Sequence, residues 1–231
     1  MPSYPEIYAR HADLYDELVR HEDAEGNLGA WLARALPAGR VVELGAGTGR
    51  VTRLLAGPGR EVRAYDGSSH MIDTARARLA DVAGITLGVA DNASLPEPTA
   101  SADAVVAGWT IGHVTGFFPD AWESHARAAL GEMARVGRQG ALHVVVETLG
   151  TCVDEPGPPN PRLAALYALY ESMGLARVVL RTDYRFPSAA DAERVMGFFF
   201  GPAMAEKVRS RGSATVPEWT GLWQGSGMSG P

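Results

Sequence analysis

Residues 39–148 alternate between short β-like runs and helical runs, and this alternation restricts the fold more than any other feature of the chain. Residues 40–44 read as a first strand, followed by a glycine-rich turn and a helix over 50–56. A second strand at 61–65 leads into a helix over 69–82, and strands three and four fall at 85–89 and 104–107. In the helix expected over 119–136, Trp122, Ala126, Ala129, Leu130 and Met133 recur at helical spacing. A fifth strand at 141–148 is almost continuously apolar, as a strand covered on both faces should be. Parallel neighbours need a long crossover, and a helix between successive strands supplies it. The pattern therefore predicts a doubly wound parallel α/β sheet.

The flanks are less regular. Residues 1–36 read as helical, with Ile7, Leu14 and Leu18 beside Tyr8 and Tyr15, then Leu28, Trp31, Leu32, Ala35 and Leu36 before Pro37. Beyond the fifth strand come a Pro-rich loop at 154–161, a helix over 162–173 and a strand near 176–184. A helical run over 188–209 is broken at Gly201-Pro202, and 216–223 is expected to close the sheet as a last strand. Phe198, Phe199 and Phe200 are expected to lie exposed on one helix face, as a dimer contact or a pocket lid. No boundary interrupts the pattern. The expectation is one domain over 1–231, with a helical segment at 1–36, a core at 40–148 and substrate-side elements at 151–224.

Composition narrows the function classes. A chain of 231 residues, 46% hydrophobic, can bury a core without metals or disulfides. Cys152 is the single cysteine, which excludes an intrachain disulfide and a multi-cysteine zinc site. Lys and Arg number 21 against 27 Asp and Glu; the resulting charge of −6 argues against a sequence-independent binder of nucleic-acid phosphates. No stretch approaches the ~20 apolar residues that span a bilayer, and the first residues carry charges throughout, unlike a secretory signal. A soluble, cytoplasmic protein is expected, without a nucleic-acid or membrane partner.

The segment with chemical content is Val41-Val42-Glu43-Leu44-Gly45-Ala46-Gly47-Thr48-Gly49-Arg50. Glycines in a strand-to-helix turn let backbone approach a ligand with no Cβ in the way, and ligands in such sheets bind outside the carboxyl ends of the strands. The dinucleotide fingerprint G-x-G-x-x-G/A fails in both frames, ending on Arg50 or on Thr52. Glu43-x-Gly45-x-Gly47-x-Gly49 instead puts an acid before glycines at every second position. Here the chain resembles the class I S-adenosylmethionine-dependent methyltransferase family, of the small-molecule type. Further pieces follow in register: Asp66-Gly67-Ser68-Ser69-His70-Met71 with Ala75-Arg76, Val89-Ala90-Asp91-Asn92-Ala93-Ser94-Leu95-Pro96, Asp103–Val106 before Gly108-Trp109, and Gly137–Gly140 before the fifth strand.

The resemblance implies a Rossmann-like, doubly wound, seven-stranded, mostly parallel sheet with helices on both faces and an N-terminal helical lid. It implies S-adenosyl-L-methionine as cofactor. Gly45, Ala46, Gly47 and Gly49 would pass close to its amino-acid part, with Glu43 acting near the ammonium through water or backbone. Asp66 would accept the ribose hydroxyls, beside Gly67 and Ser68; Met71 would pack near the adenine and Asp91, with Asn92, would take its amino group. Gly108, Trp109 and Tyr15 complete the implied cofactor set.

Methyl transfer from a sulfonium needs alignment, exclusion of water and, for some acceptors, a base, so no metal is expected. His113, after the fourth strand, has the pKa class for proton transfer near neutrality and is the first candidate base; His11 is the second. His143 reads as a hydrogen-bonded core residue, and His21 and His125 as surface positions. Tyr8, Trp109, His113 and Glu147 are candidate substrate contacts, with Phe117, Phe118 and Thr148 nearby. The expected reaction is in-line methyl transfer to oxygen or nitrogen of a small molecule, by a monomer or homodimer. A second reading keeps the bound cofactor without transfer. A nicotinamide oxidoreductase is disfavoured by Arg50.

Overall fold

The computed structural model describes residues 12–228. Strand β1 (Gly39–Leu44) is the pivot of the sheet. It pairs in parallel with β2 (Arg60–Asp66) on one side and β4 (Ala102–Gly108) on the other. Outside these, β3 (Ile85–Val89) pairs in parallel with β2, and β5 (Gly137–Thr151) with β4. With β6 (Ala176–Arg181) and β9 (Glu218–Ser226) the seven strands run in the order β3-β2-β1-β4-β5-β9-β6. The α/β, Rossmann-like doubly wound expectation holds. Val41, Val42 and Leu44 of β1 and Ala104–Ala107 of β4 are completely buried, which explains why the central strands read as continuous apolar runs.

Seven described helices precede or follow these strands in the part of the chain up to β6: α1 (Ala12–His21), α2 (Asn27–Ala35), α3 (Arg50–Leu55), α4 (Ser69–Arg78), the four-residue α5 (Val114–Phe117), α6 (Trp122–Val136) and α7 (Pro161–Ser172). The buried face of α6 carries Ala126, Ala129, Leu130 and Met133, as their spacing predicts. Several boundaries differ from expectation. Helix α4 ends at Arg78, because residues 79–84 are spent on a turn, Val82 N–H on Leu79 O, that returns the chain so Gly84 O can accept Val62 N–H at 2.8 Å. The helix expected from 119 begins at Trp122, and a 3-10 turn (Ile111–His113) and α5 fill the stretch before it. Strand β5 is longer than expected at both ends. The last strand does not close the edge: β9 lies between β5 and β6, and β6 is outermost.

Contacts divide the chain into two compact units. One comprises Gly29–Glu147, Pro158–Val179 and the chain from Gly221. Its largest fully buried side chain is Trp223, whose ring lies 4.4 Å from Tyr167 and 5.5 Å from Tyr170. The other comprises the chain up to Leu28, Thr148–Gly157 and Leu180–Thr220. It holds α8 (Ala189–Phe200), α9 (Pro202–Arg211) and the antiparallel pair β7 (Tyr184–Arg185) and β8 (Thr215–Val216). Its core gathers Leu18, Cys152, Tyr184, Phe186, Val195, Met196 and Phe199. The phenylalanine triplet is thus not exposed: Phe199 is buried, and Phe198 and Phe200 pack against the same cluster, because α8 and α9 fold back on each other and enclose them.

Replacing Trp223 by alanine removes the filling between Tyr167 and Tyr170 and is expected to cost about 3–5 kcal/mol in urea unfolding. Val179→Ala, at a position 40% exposed on β6, should stay within about 0.5 kcal/mol of the wild type in the same measurement.

Candidate active site

Winding reverses at β1: the chain leaves it toward β2 and β3, then returns to its other side as β4. In such sheets the two connections leave a crevice at the carboxyl ends of the strands. The register puts Leu44 beside Tyr65 and Ala107, Asp66 beside Val89, and Gly108 beside Val146. The segments just beyond these residues, all in one compact unit, form the site.

Gly45, with φ 68°, starts the turn after β1. A Cβ there would stand 2.1 Å from Thr110 Oγ1, so the turn after β1 and the chain after β4 approach as closely as bare backbone permits. Ala46 N–H reaches Tyr65 O at 2.9 Å, and Gly47 N–H donates to Asp66 Oδ2 at 2.8 Å. Ser68 N–H donates to Asp66 Oδ1, also at 2.8 Å. Each Asp66 oxygen holds one backbone donor and keeps acceptor capacity for another. Beneath the turn, Glu43 is 1% exposed and accepts the Thr52 hydroxyl at 2.6 Å. Burial pushes its carboxyl up to about 8, with Asp66's charge adding and the Thr52 bond opposing.

Asp91 follows β3, exposed, with Oδ1 accepting Ala93 N–H at 2.8 Å. Asn92 donates from Nδ2 to Thr110 Oγ1 at 3.0 Å, while its Oδ1 is buried without a hydrogen-bond partner. Ser68 caps α4 by accepting Met71 N–H, and Met71 is buried. Gly67 stands between Asp66 and that cap. Gly108 ends β4, and a Cβ there would stand 2.9 Å from Val51 Cγ2. Trp109 has φ 48°, a strained conformation for a bulky residue. Its N–H bonds Val146 O at 2.8 Å, and the Arg50 guanidinium lies 4.1 Å over its ring.

His113 closes the 3-10 turn, 5.7 Å from the Phe117 ring. Burial holds its imidazole below the usual histidine range and so favours the neutral form, an effect partly offset by Asp66's charge. Glu147 is not at a strand end, since β5 continues past it. It is buried and accepts Gly112 N–H at 2.7 Å and the Tyr170 hydroxyl at 3.4 Å. Burial pushes its carboxyl, too, up to about 8.

One unit therefore brings together Glu43, Gly45, Ala46, Gly47, Gly49, Asp66, Gly67, Ser68, Met71, Asp91, Asn92, Gly108, Trp109, His113 and Glu147. Tyr15 falls in α1 of the other unit, while Tyr8 and His11 lie outside the described residues. His143 is a core residue, with Nε2 3.2 Å from Met133 O. Sequence reasoning missed Thr52, Thr110, Gly112 and Tyr170. Thr52 sits in the first turn of the helix after the glycines, a position from which a hydroxyl can reach back to the strand, but the partners of Thr110 and Gly112 are far away in sequence.

A sequence model described as a methyltransferase domain matches residues 42–145. This stretch of the chain is a methyltransferase domain, of the S-adenosylmethionine-dependent kind. No curated protein matches it. Solved structures share the fold: the YcgJ protein of Bacillus subtilis is 19% identical, with TM-score 0.58, covering 88% of this chain and 98% of that one. A SAM-dependent methyltransferase from Aquifex aeolicus is 13% identical, with TM-score 0.55 and coverage of 95% and 99%. A Haloferax volcanii chain solved in complex with the Trm112 methyltransferase activator is 20% identical, with TM-score 0.57 and 99% coverage of both.

The cofactor of this methyltransferase is S-adenosylmethionine, and the crevice suits it. The strand tips offer acceptors, Asp66 and Asp91, to hydroxyl and amino donors. Asn92 Oδ1 is a buried acceptor that lacks a donor from the protein. Among the described residues no group of three or more His, Cys, Asp or Glu could hold a metal ion, and no helix is long and apolar enough to cross a membrane.

Because the folded protein binds the Glu43 proton more tightly than the unfolded chain, stability from this group is complete below 4.5 and is lost as pH rises through about 8. Glu43→Gln should flatten the fall of the thermal midpoint across that window.

Proposed function

We propose that this methyltransferase alkylates an oxygen or nitrogen of a small-molecule acceptor, with His113 removing the acceptor's proton. The observation that carries the reading is the place of His113 at the end of the 3-10 turn after β4, in the unit that holds Asp66; burial there lowers its imidazole from the usual histidine range. A neutral histidine can accept a proton at pH 7, and proton removal by a placed base is worth about 10²–10⁴ in rate. When bound, S-adenosylmethionine supplies a methyl group already activated on a sulfonium.

Asp66 accepts the ribose hydroxyls while its two backbone donors hold the carboxylate still. Asp91 and Asn92 receive the adenine amino group, and Met71 supports the ring. Gly45–Gly49 let main chain approach the amino-acid end. Trp109, held by Arg50 and Val146, screens the reacting groups from water. The charge balance of −6 favours a small molecule over nucleic acid as acceptor.

Calorimetry with S-adenosylmethionine and its demethylated product tests the cofactor roles: Asp66→Ala should weaken both by about tenfold or more, since bonds to a charged acceptor contribute about 1.5–3 kcal/mol each. With an acceptor identified, His113→Gln should lower kcat about 10²-fold or more while cofactor affinity stays unchanged. Cofactor retained without demethylation across acceptor panels would favour the non-transferring reading.

A further inference from the structure

We propose that Glu147 is a positioning residue: its carboxyl group, by accepting Gly112 N–H, holds the turn that presents His113 to the crevice. The inference rests on the reading of His113 as the base.

The geometry begins with the β4–β5 ladder. Gly108 is the last residue of β4 in register, opposite Val146. One step further, Trp109 N–H still reaches Val146 O at 2.8 Å, although its positive φ has already turned the chain away. Main-chain pairing stops there. The next residue of β5 is Glu147, and its side chain takes over: Oε1 receives Gly112 N–H at 2.7 Å. The segment 109–113 is therefore tied to β5 at two points, once by backbone and once by this carboxyl group. Within the segment, His113 N–H bonds Thr110 O at 3.3 Å and Thr115 Oγ1 donates to Gly112 O at 2.9 Å, so displacement of Gly112 displaces His113.

The contact leaves no slack. A Cβ on residue 112 would lie 2.6 Å from Glu147 Oε2, so only glycine seats the turn against the carboxyl group. From the other side the buried Tyr170 of α7 donates its hydroxyl to the same Oε1 at 3.4 Å, and Tyr170 packs on Tyr167 and Trp223. The carboxyl is thus clamped between the core and the turn. Tyr170, with Tyr167 acting on it, faces Glu147 from α7, and on the turn His113 follows Gly112 in the chain. Burial brings the Glu147 carboxyl up to about 8. Ionised, it is a stronger acceptor for Gly112 N–H than when neutral.

Two variants and two readouts test this on the full chain. In NMR of the wild type, the Gly112 amide shift should titrate near pH 8, and in Glu147→Gln it should not. The same spectra report the His113 imidazole: it should stay below 6.5 in the wild type and in Glu147→Gln, which keeps an acceptor, but move up toward 6.5 in Glu147→Leu. With an acceptor in hand, Glu147→Gln should keep kcat within about threefold and Glu147→Leu should lose about tenfold or more, with cofactor affinity unchanged in both. A Gly112 amide shift unchanged between the wild type and Glu147→Leu would overturn the inference, and this readout needs no acceptor. So would Glu147→Leu with wild-type kcat and His113 titration, or Glu147→Gln as impaired as Glu147→Leu. If His113→Gln also keeps kcat, the base assignment itself falls; if only Glu147→Leu does, the base stands and the positioning role falls.

Discussion

Asp66 joins two segments that the sheet alone would leave independent. Its two carboxylate oxygens take Gly47 N–H from the turn after β1 and Ser68 N–H from the cap of α4, both at 2.8 Å. Both donors are backbone groups, so the carboxylate is fixed without competition from flexible side chains. A ligand group meeting Asp66 meets an acceptor already oriented, and the ordering cost has been met on folding. The rest of the crevice is arranged around that point: Gly45 against Thr110, Thr110 against Asn92, and His113 within the reach of Asp66's charge.

Two further carboxyl groups are buried deeper, and they serve the loops. Glu43 receives Thr52 from the first turn of α3, and Glu147 receives Gly112 from the turn after β4. Burial raises both to about 8, which lets each remain near neutral where a full charge would be costly. Both sit beside buried apolar residues of their strands, Glu43 between Val42 and Leu44 and Glu147 next to Val146. Glu147 lies one residue past the end of main-chain pairing with β4, whereas Glu43 is still paired with Ala64 and Val106. The consequence is that the inner acids hold the first turn of α3 and the turn that carries His113.

Much of this was legible in the sequence. The strand–helix alternation identified the sheet, because its pieces are local, and the acid-and-glycine turn with Asp66, Met71 and Asp91 carried the family resemblance that implies the cofactor. His143 was readable as core from its place in an apolar strand. The phenylalanine triplet was misjudged, since whether an apolar face is covered depends on α9 folding back upon α8. Strand five was expected to stop at 148, one residue past Glu147, because the length of β5 is decided by its pairing partners, and Thr110 was overlooked because its neighbours Gly45 and Asn92 come from the turns after other strands.

Sequence alone determined the order of elements, the position of the bare turn and the set of acids at the strand tips, since these follow from periodicity and from the conformations that glycine permits. Tertiary structure alone decided the strand order, with β9 between β5 and β6, and the pairing of Thr52 with Glu43, Asn92 with Thr110 and Gly112 with Glu147. The physical reason is range. Local geometry is encoded within a few residues, whereas a buried carboxyl group acquires its proton affinity and its partner only when distant segments exclude water from it together.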